Sequence, residues 1–311
     1  MRALRSTLFV ALAACAPAPP PPNSADNFDR STAHWEDAFD RVPEVLLLVR
    51  PQALRRDATY GPLLKTVSKL AAARSPAGTG ARAVEAFESA DEVIVGIRER
   101  ARDDVLVVLR GVRPDIDPEK LADERGLALW HPAKERARVP ELVQGASASA
   151  SASLFVLPQR TWVVAIGEAR ARAREAFANP FGRPPPTRDD HALILVRLDG
   201  DGLVQWVPRL RARGGPLEAI GRKLNWVTFA LHPGGEGVLA TFAYADEDAA
   251  AWAESTVKQV VEAYGRGTNP RLAWLSTAKL ERENRVLKVR VALPARLIEE
   301  LPNAQPAELG F

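Results

Sequence analysis

The sequence predicts an α+β fold of two tandem β-α-β-β-α-β-β units, ferredoxin-like in order with an extra strand, each an antiparallel sheet with helices on one face. Three observations predict it. A breaker cluster, Asn179-Pro180-Phe181-Gly182-Arg183-Pro184-Pro185-Pro186, divides the chain near its middle. The same order of elements reads out on both sides of that cluster. Some strands alternate: Leu287, Val289, Val291 and Leu293 share one face, Lys288 and Arg290 the other, as in a strand with one buried and one wet side.

In the first unit, Leu46 to Arg50 is a short apolar run that reads as a buried strand, followed by a helical stretch over Leu63 to Arg74. Strands follow at Glu92 to Arg98 and Val105 to Val112, then a helix at Pro118 to Arg125, then strands at Ser153 to Leu157 and Thr161 to Ile166. The second unit repeats this with strands at Leu193 to Arg197, Asn225 to Leu231 and Val238 to Tyr244. Its helix runs over Asp246 to Tyr264, with Trp252, Val257, Val260 and Val261 as apolar positions, and its last strands are Leu272 to Leu280 and Val286 to Leu293. His232-Pro233-Gly234-Gly235-Glu236-Gly237 turns the hairpin between two of these strands.

The inner strand pairs align at a constant shift: Val93 on Trp226, Val95 on Thr228, Val105 on Val238 and Leu106 on Leu239, each 133 residues apart. The opening strands are 147 apart. An insertion over residues 74–87, containing Pro76, Gly78 and Gly80, accounts for the difference.

Ahead of both units stands a leader. Arg2 and Arg5 supply a basic n-region, Leu8 to Leu12 a short apolar run, and Ala13-Ala14 the small residues before Cys15. The run is far shorter than the roughly 20 residues of a membrane span, and no later segment comes closer. Leu12-Ala13-Ala14-Cys15 resembles the lipobox of bacterial lipoprotein precursors. The resemblance implies cleavage between Ala14 and Cys15 and diacylglyceryl modification of the Cys15 sulfur. In enterobacterial lipoproteins an aspartate after the cysteine favours the inner membrane; Ala16 here implies the outer membrane, facing periplasm or cell surface. Resemblance to a characterised family is confined to these first 15 residues.

The organisation that follows is a signal peptide over 1–14, a lipidated Cys15 and Pro-rich tether over 15–38, and a first α+β unit over 39–178. A linker over 179–190 leads to a second α+β unit over 191–311. Cys15 is the sole cysteine, so no intramolecular disulfide forms. With 42 basic and 39 acidic residues, the formal net charge of +3 falls further when Arg2 and Arg5 leave with the leader. That balance implies no strong electrostatic partner and no nucleic acid. Arg170, Arg172 and Arg174 are two apart on a helix, point in different directions, and read as a solvated face.

The search for chemistry is mostly one of exclusion. His34, His131, His191 and His232 show no metal-ligand spacing. Asp189-Asp190-His191 is the most reactive-looking triplet, yet it lies where a linker meets a strand and reads as a cap or a solvated group. Gly145-Ala146-Ser147-Ala148-Ser149 lacks the second glycine of a nucleophile elbow, and residues 144–153 alternate Ala and Ser as a loop does. Gly78-Thr79-Gly80-Ala81-Arg82-Ala83 fits a dinucleotide turn in letters but follows a helix, not a strand. Asp199-Gly200-Asp201-Gly202 lacks the glutamate of a calcium loop, with Leu210 in its place. Trp162, Trp226, Trp252 and Trp274 read as core, while Trp35 and Trp130 read as the exposed aromatics. Arg50 and Arg197 end the equivalent opening strands.

The expectation is a lipid-anchored envelope protein acting as a non-enzymatic binding or scaffold module, with no catalytic residue, metal or cofactor assigned. Its partners are the membrane, through the N-terminal lipid, and an envelope protein. Two alternatives stay open: an envelope hydrolase using His191 or His131 with dispersed acids, and a periplasmic carrier of an apolar ligand.

Overall fold

The structure, a computed structural model, describes residues 34–39, 42–74, 80–98, 104–122, 128, 130–133, 139–144, 152–178, 189, 191–200, 220–265 and 273–303. Twelve strands form one antiparallel sheet. In chain order, β1 is Val45–Val49, β2 Glu92–Ile97, β3 Val105–Arg110, β4 Trp130–Pro132, β5 Glu141–Gln144 and β6 Ala152–Leu157. Then follow β7 (Thr161–Ile166), β8 (Ile194–Asp199), β9 (Leu224–Leu231), β10 (Val238–Tyr244), β11 (Lys279–Glu283) and β12 (Val286–Val291). Six α-helices accompany them among the described residues: α1 (Pro51–Arg56), α2 (Leu63–Arg74), α3 (Gly80–Ser89), α4 (Ala169–Ala178), α5 (Glu247–Gly265) and α6 (Ala295–Glu300).

The α+β class and antiparallel pairing are as the sequence predicts, but there is one sheet where two were expected. Its order is β11-β12-β10-β9-β8-β1-β2-β3-β7-β6-β5-β4. The two halves meet at β1 and β8, which pair from Val45 opposite Leu198 to Val49 opposite Ile194. Both strands are too apolar to stand as wet edges, and joining them leaves only short or charged strands at the rims. β4 ends in Pro132, and β11 reads Lys-Leu-Glu-Arg-Glu. β1 and β2 are direct antiparallel neighbours, whereas a split βαβ unit would set them parallel and apart.

Helices cover both faces of the sheet, which corrects the expectation of one. Val45, Leu47 and Val49 face a core containing Leu54, Tyr60, Leu63, Leu64, Ala86, Phe87 and Ile298, brought by α1, α2, α3, α6 and the turn after α1. Leu46 and Leu48 face the opposite core, filled by Trp35 and Phe39 and by Ala169, Ala173 and Phe177 of α4. The physical reason lies in β2 and β7, buried at every position along their length, and in β3, buried at all but the last. A strand buried at every residue needs cover on both sides. α5 lays Ala249, Ala250, Ala253 and Val257 over Val227, Tyr244 and Leu287 at the other end of the sheet. Its first turn is capped by Asp246 Oδ1, which accepts from the Ala249 N–H at 2.8 Å.

Other local expectations change for identifiable reasons. The helix expected over 118–125 is a single 3-10 turn, Pro118–Lys120, capped by Asp117, among the described residues. The strand expected over 272–280 begins later: Ala273–Thr277 is a 3-10 turn and β11 starts at Lys279. β4 and β5 were not expected. Part of the supposed insertion is α3, which sends Ala86 and Phe87 into the core. The constant shift of 133 residues also fails: Val93 packs into the core under α1 to α3, whereas Trp226 pairs with Asp199 and Ala243 on the opposite face. A one-residue difference in register reverses the face of a strand.

Three tryptophans exchange places with expectation. Trp35 and Trp130 are buried at 5% and 2% exposure, and Trp252 is 49% exposed. Trp35 packs edge-on to Phe39, and Trp130 joins the core under α1 to α3. On α5, the small alanines take the core side and leave Trp252 outward, stacked with Arg222 at 5.3 Å.

Candidate functional site

An open groove of about 750 Å³ lies between α2, α3 and the 3-10 turn Leu301–Asn303. The helices have amphipathic reasons to build it. α2 points Leu63 and Leu64 toward the core, and its next turn presents Lys65, Ser68 and Lys69 to the groove. α3 buries Ala86 and Phe87 and presents Val84 and Glu88. Pro62, Leu64, Val84 and Pro302 give the walls an apolar character.

The polar groups of the groove are held in place. Glu88 accepts from Ser68 Oγ at 2.6 Å on one carboxylate oxygen and from Arg55 Nη2 at 2.6 Å on the other. Its carbonyl accepts from Gln52 Nε2 at 2.5 Å. Lys69 Nζ donates to the Pro302 carbonyl at 2.5 Å and fastens the C-terminal wall to α2. An apolar trough with a few oriented polar groups has the make-up of a binding site. Glu88, with both oxygens engaged, serves there as an orienting group.

A second polar assembly lies where the halves join. Asp189 does pair with a histidine, but the partner is His232, whose Nε2 lies 2.9 Å from Oδ2. His191 is exposed, and only its backbone N–H reaches Asp189, at 3.0 Å to Oδ1. Ala192 N–H adds a longer bond to the same oxygen. Burial pushes the Asp189 carboxyl up, but the bonds from His191 N–H, His232 and Ala192 N–H outweigh it and hold the group below its ordinary range. His232 Nδ1, the atom that would exchange a proton with a nucleophile, is buried with no hydrogen-bond partner among the described residues. The capping role expected of Asp189 is therefore present, together with a side-chain pair that neighbouring positions in sequence do not suggest.

From this junction a buried ionic chain runs into the first half. Arg50 Nη1 donates to the carbonyls of Asp189 and Ala192, and Nη2 to Glu92 Oε1 at 3.1 Å. Glu92 Oε2 accepts from Arg110 Nη1 at 2.6 Å. Arg50 lies just past the end of β1, whereas Arg197 sits inside β8 opposite Leu46 and Thr228 and stacks on Trp226. The two arginines are not structural equivalents.

The arginines of α4 are not a solvated face. Arg174 Nε donates to Glu141 Oε2 at 2.7 Å, Arg170 Nε to Ser153 Oγ at 3.0 Å, and Arg172 pairs with Asp104. Ser153 in turn donates to Glu141 Oε1 at 2.6 Å. These bonds dock α4 onto β5, β6 and the residue before β3. Among the described residues no group of three or more His, Cys, Asp or Glu could hold a metal ion. Ala14, Cys15, the tether up to residue 33, most of the 179–190 linker, residues 145–151, Gly78-Thr79 and Asp201-Gly202 lie outside the described residues, whereas the last residues given to the tether, Trp35–Ala38, form a 3-10 turn that packs into the core. The groove went unread because Ser68 and Glu88 are joined across two helices; its one local signal is the polar stripe Lys65, Ser68, Lys69 at helical spacing.

No protein-family model matches the chain, and no curated protein matches it. Solved structures resemble it, among them TP0453 in crystal form III, with a TM-score of 0.50 and 10% identity, and in crystal form IV, with 0.51 and 10%. The matches cover 88% and 89% of this chain and 100% of the TP0453 chain. At that identity the likeness is one of fold: the chain shares an α+β architecture with TP0453.

Proposed function

We propose that this protein is a lipid-anchored envelope protein of the outer membrane, acting as a non-enzymatic binding module whose binding surface is the groove between α2, α3 and Leu301–Asn303. The groove carries the reading. Its walls are apolar, its polar groups are already oriented by Ser68–Glu88, Arg55–Glu88 and Lys69–Pro302 bonds, and it is open along its length. An open trough suits a segment of an envelope protein better than an enclosed small molecule. Anchoring rests on the residues around Cys15, which match the signals for acylation and delivery.

The tandem duplication belongs to the same reading. The five strands β1-β2-β3-β7-β6 and the five strands β8-β9-β10-β12-β11 follow the same order outward from the β1–β8 seam. That agreement supports two duplicated halves fused edge to edge, with β4 and β5 added to the first.

A photo-reactive residue placed at position 65 in the groove, with Gln259 on α5 as the control position, tests the binding surface in intact cells. A discrete protein adduct from position 65 alone supports the reading. Equal adducts from both positions, or none from either, count against it.

A further inference from the structure

A second, smaller pocket lies at the ends of β2, β3 and β7; Asp91, three residues after Glu88 of the groove, lines it. Asp91, Arg110, Gly111, Gln159, Arg160 and Thr161 enclose about 220 Å³. The side chains and turns that line this pocket are fixed in place. Arg110 is held by Glu92 at 2.6 Å and stacks on Trp35 at 5.6 Å, and its other N–H donors have no hydrogen-bond partner among the described residues. Gln159 and Arg160 both adopt left-handed backbone, φ 57° and 55°, in the tight turn that joins β6 to β7. The Arg160 carbonyl accepts from Val112 N–H at 3.2 Å, which fixes the turn against the far side of the pocket. Gly111, at φ 68°, has no side chain because a Cβ there would stand 2.0 Å from Asp91 Oδ2.

The charges in the pocket are of both signs and are not paired with one another. Asp91 makes no ion pair with Arg110 or Arg160, and the side chains of Asp91 and Arg160 have no hydrogen-bond partner among the described residues. An oxyanion alone would meet Asp91 repulsion, and a cation alone would meet two guanidinium groups. A ligand with both charges satisfies all three groups. The volume is below that of drug-sized pockets, which restricts the ligand to a few heavy atoms.

We propose that this pocket binds a small free amino acid, its carboxylate on the guanidinium groups of Arg110 and Arg160 and its ammonium on Asp91. The paired guanidinium groups suit a carboxylate through charge-assisted bonds, and Asp91 offers acceptors for the ammonium. The pocket shares no lining residue with the groove, and the proposal does not rest on the binding function proposed there.

Isothermal titration of the folded protein with alanine tests the proposal, using acetate and alanine methyl ester as probes that each lack one charge. Saturable alanine binding is expected, with both single-charge probes at least tenfold weaker. Arg160→Gly removes one guanidinium at a backbone conformation that glycine adopts readily, and Asp91→Asn keeps the shape of the acid. Both variants are expected to unfold cooperatively in a thermal melt and to bind alanine at least tenfold more weakly; Asp91→Asn should also reduce the preference for alanine over acetate. Absence of saturable alanine binding to the wild-type protein overturns the proposal. So does acetate binding equal to that of alanine, or unchanged alanine affinity in both folded variants.

Discussion

Asp189, on the connection between the two halves, accepts from Nε2 of His232 at 2.9 Å, and so ties that connection to the end of β9. The same residue receives Arg50 Nη1 on its carbonyl at 2.9 Å. One short segment is thereby fastened to both halves, at the end of the seam where Val49 meets Ile194.

This pair has a pH signature. The Asp189 carboxyl lies below its ordinary range when folded, so its contribution is present in full above the unfolded value, about 4. It is lost as pH falls through the lower folded value. Asp189→Asn is expected to cost about 1 kcal/mol at pH 7. Urea denaturation at pH 7 and pH 3 checks this: the gap between the proteins should narrow at pH 3, and an equal gap at both would refute the assignment.

Buried and exposed ion pairs should differ sharply. The Glu141 side chain is 1% exposed and serves Arg174 and Ser153. Glu141→Ala removes the buried acceptor that both partners share and should cost about 1–3 kcal/mol. Glu236 and Arg290 are 59% and 48% exposed, and Glu236→Ala should change stability by about 0–1 kcal/mol. Chemical denaturation of the two variants side by side measures the difference.

The β9–β10 turn offers two glycines with similar backbone and different surroundings. Gly234 has φ 73° and open space, so alanine there meets only the backbone preference, about 1 kcal/mol. Gly237 has φ 84°, and its N–H donates to Tyr60 OH at 2.8 Å. A Cβ at Gly237 would also lie 2.1 Å from the Val291 carbonyl. Thermal melts should place Gly237→Ala well below Gly234→Ala, by about 2 kcal/mol in stability; equal midpoints would contradict the packing described.

Tryptophan truncations test the reversed burial. Trp35→Ala empties a site between the sheet and α4 and should cost about 3–5 kcal/mol. Trp252→Ala loses an exposed stack on Arg222 and should cost about 1 kcal/mol or less. Denaturant midpoints that rank the two the other way would show that the local sequence pattern had been the better guide.

Strand positions were legible wherever a local pattern specified them. β12 alternates because one of its faces is wet, and β1 and β8 are short apolar runs with clear ends. The single sheet was not legible, because the pairing of Val45 with Leu198 joins residues far apart in the chain and leaves no local trace. The arginines of α4 misled for a related reason: their partners Asp104, Glu141 and Ser153 come from other segments of the chain, so helical spacing alone describes them as solvated. Trp35 belongs to the stretch assigned to a tether, and its burial depends on a core assembled by α4 and Phe39. Groove and pocket share this character, since each brings together residues from three or more segments.

The functional account depends most directly on Cys15 being the point of attachment to the envelope. Metabolic labelling with a radioactive fatty acid, combined with membrane fractionation, compares the wild-type chain with Cys15→Ser. The account predicts label and membrane association for the wild type, and an unlabelled, soluble protein for Cys15→Ser. Membrane association that survives the substitution, or a wild-type protein that takes up no label, would contradict it.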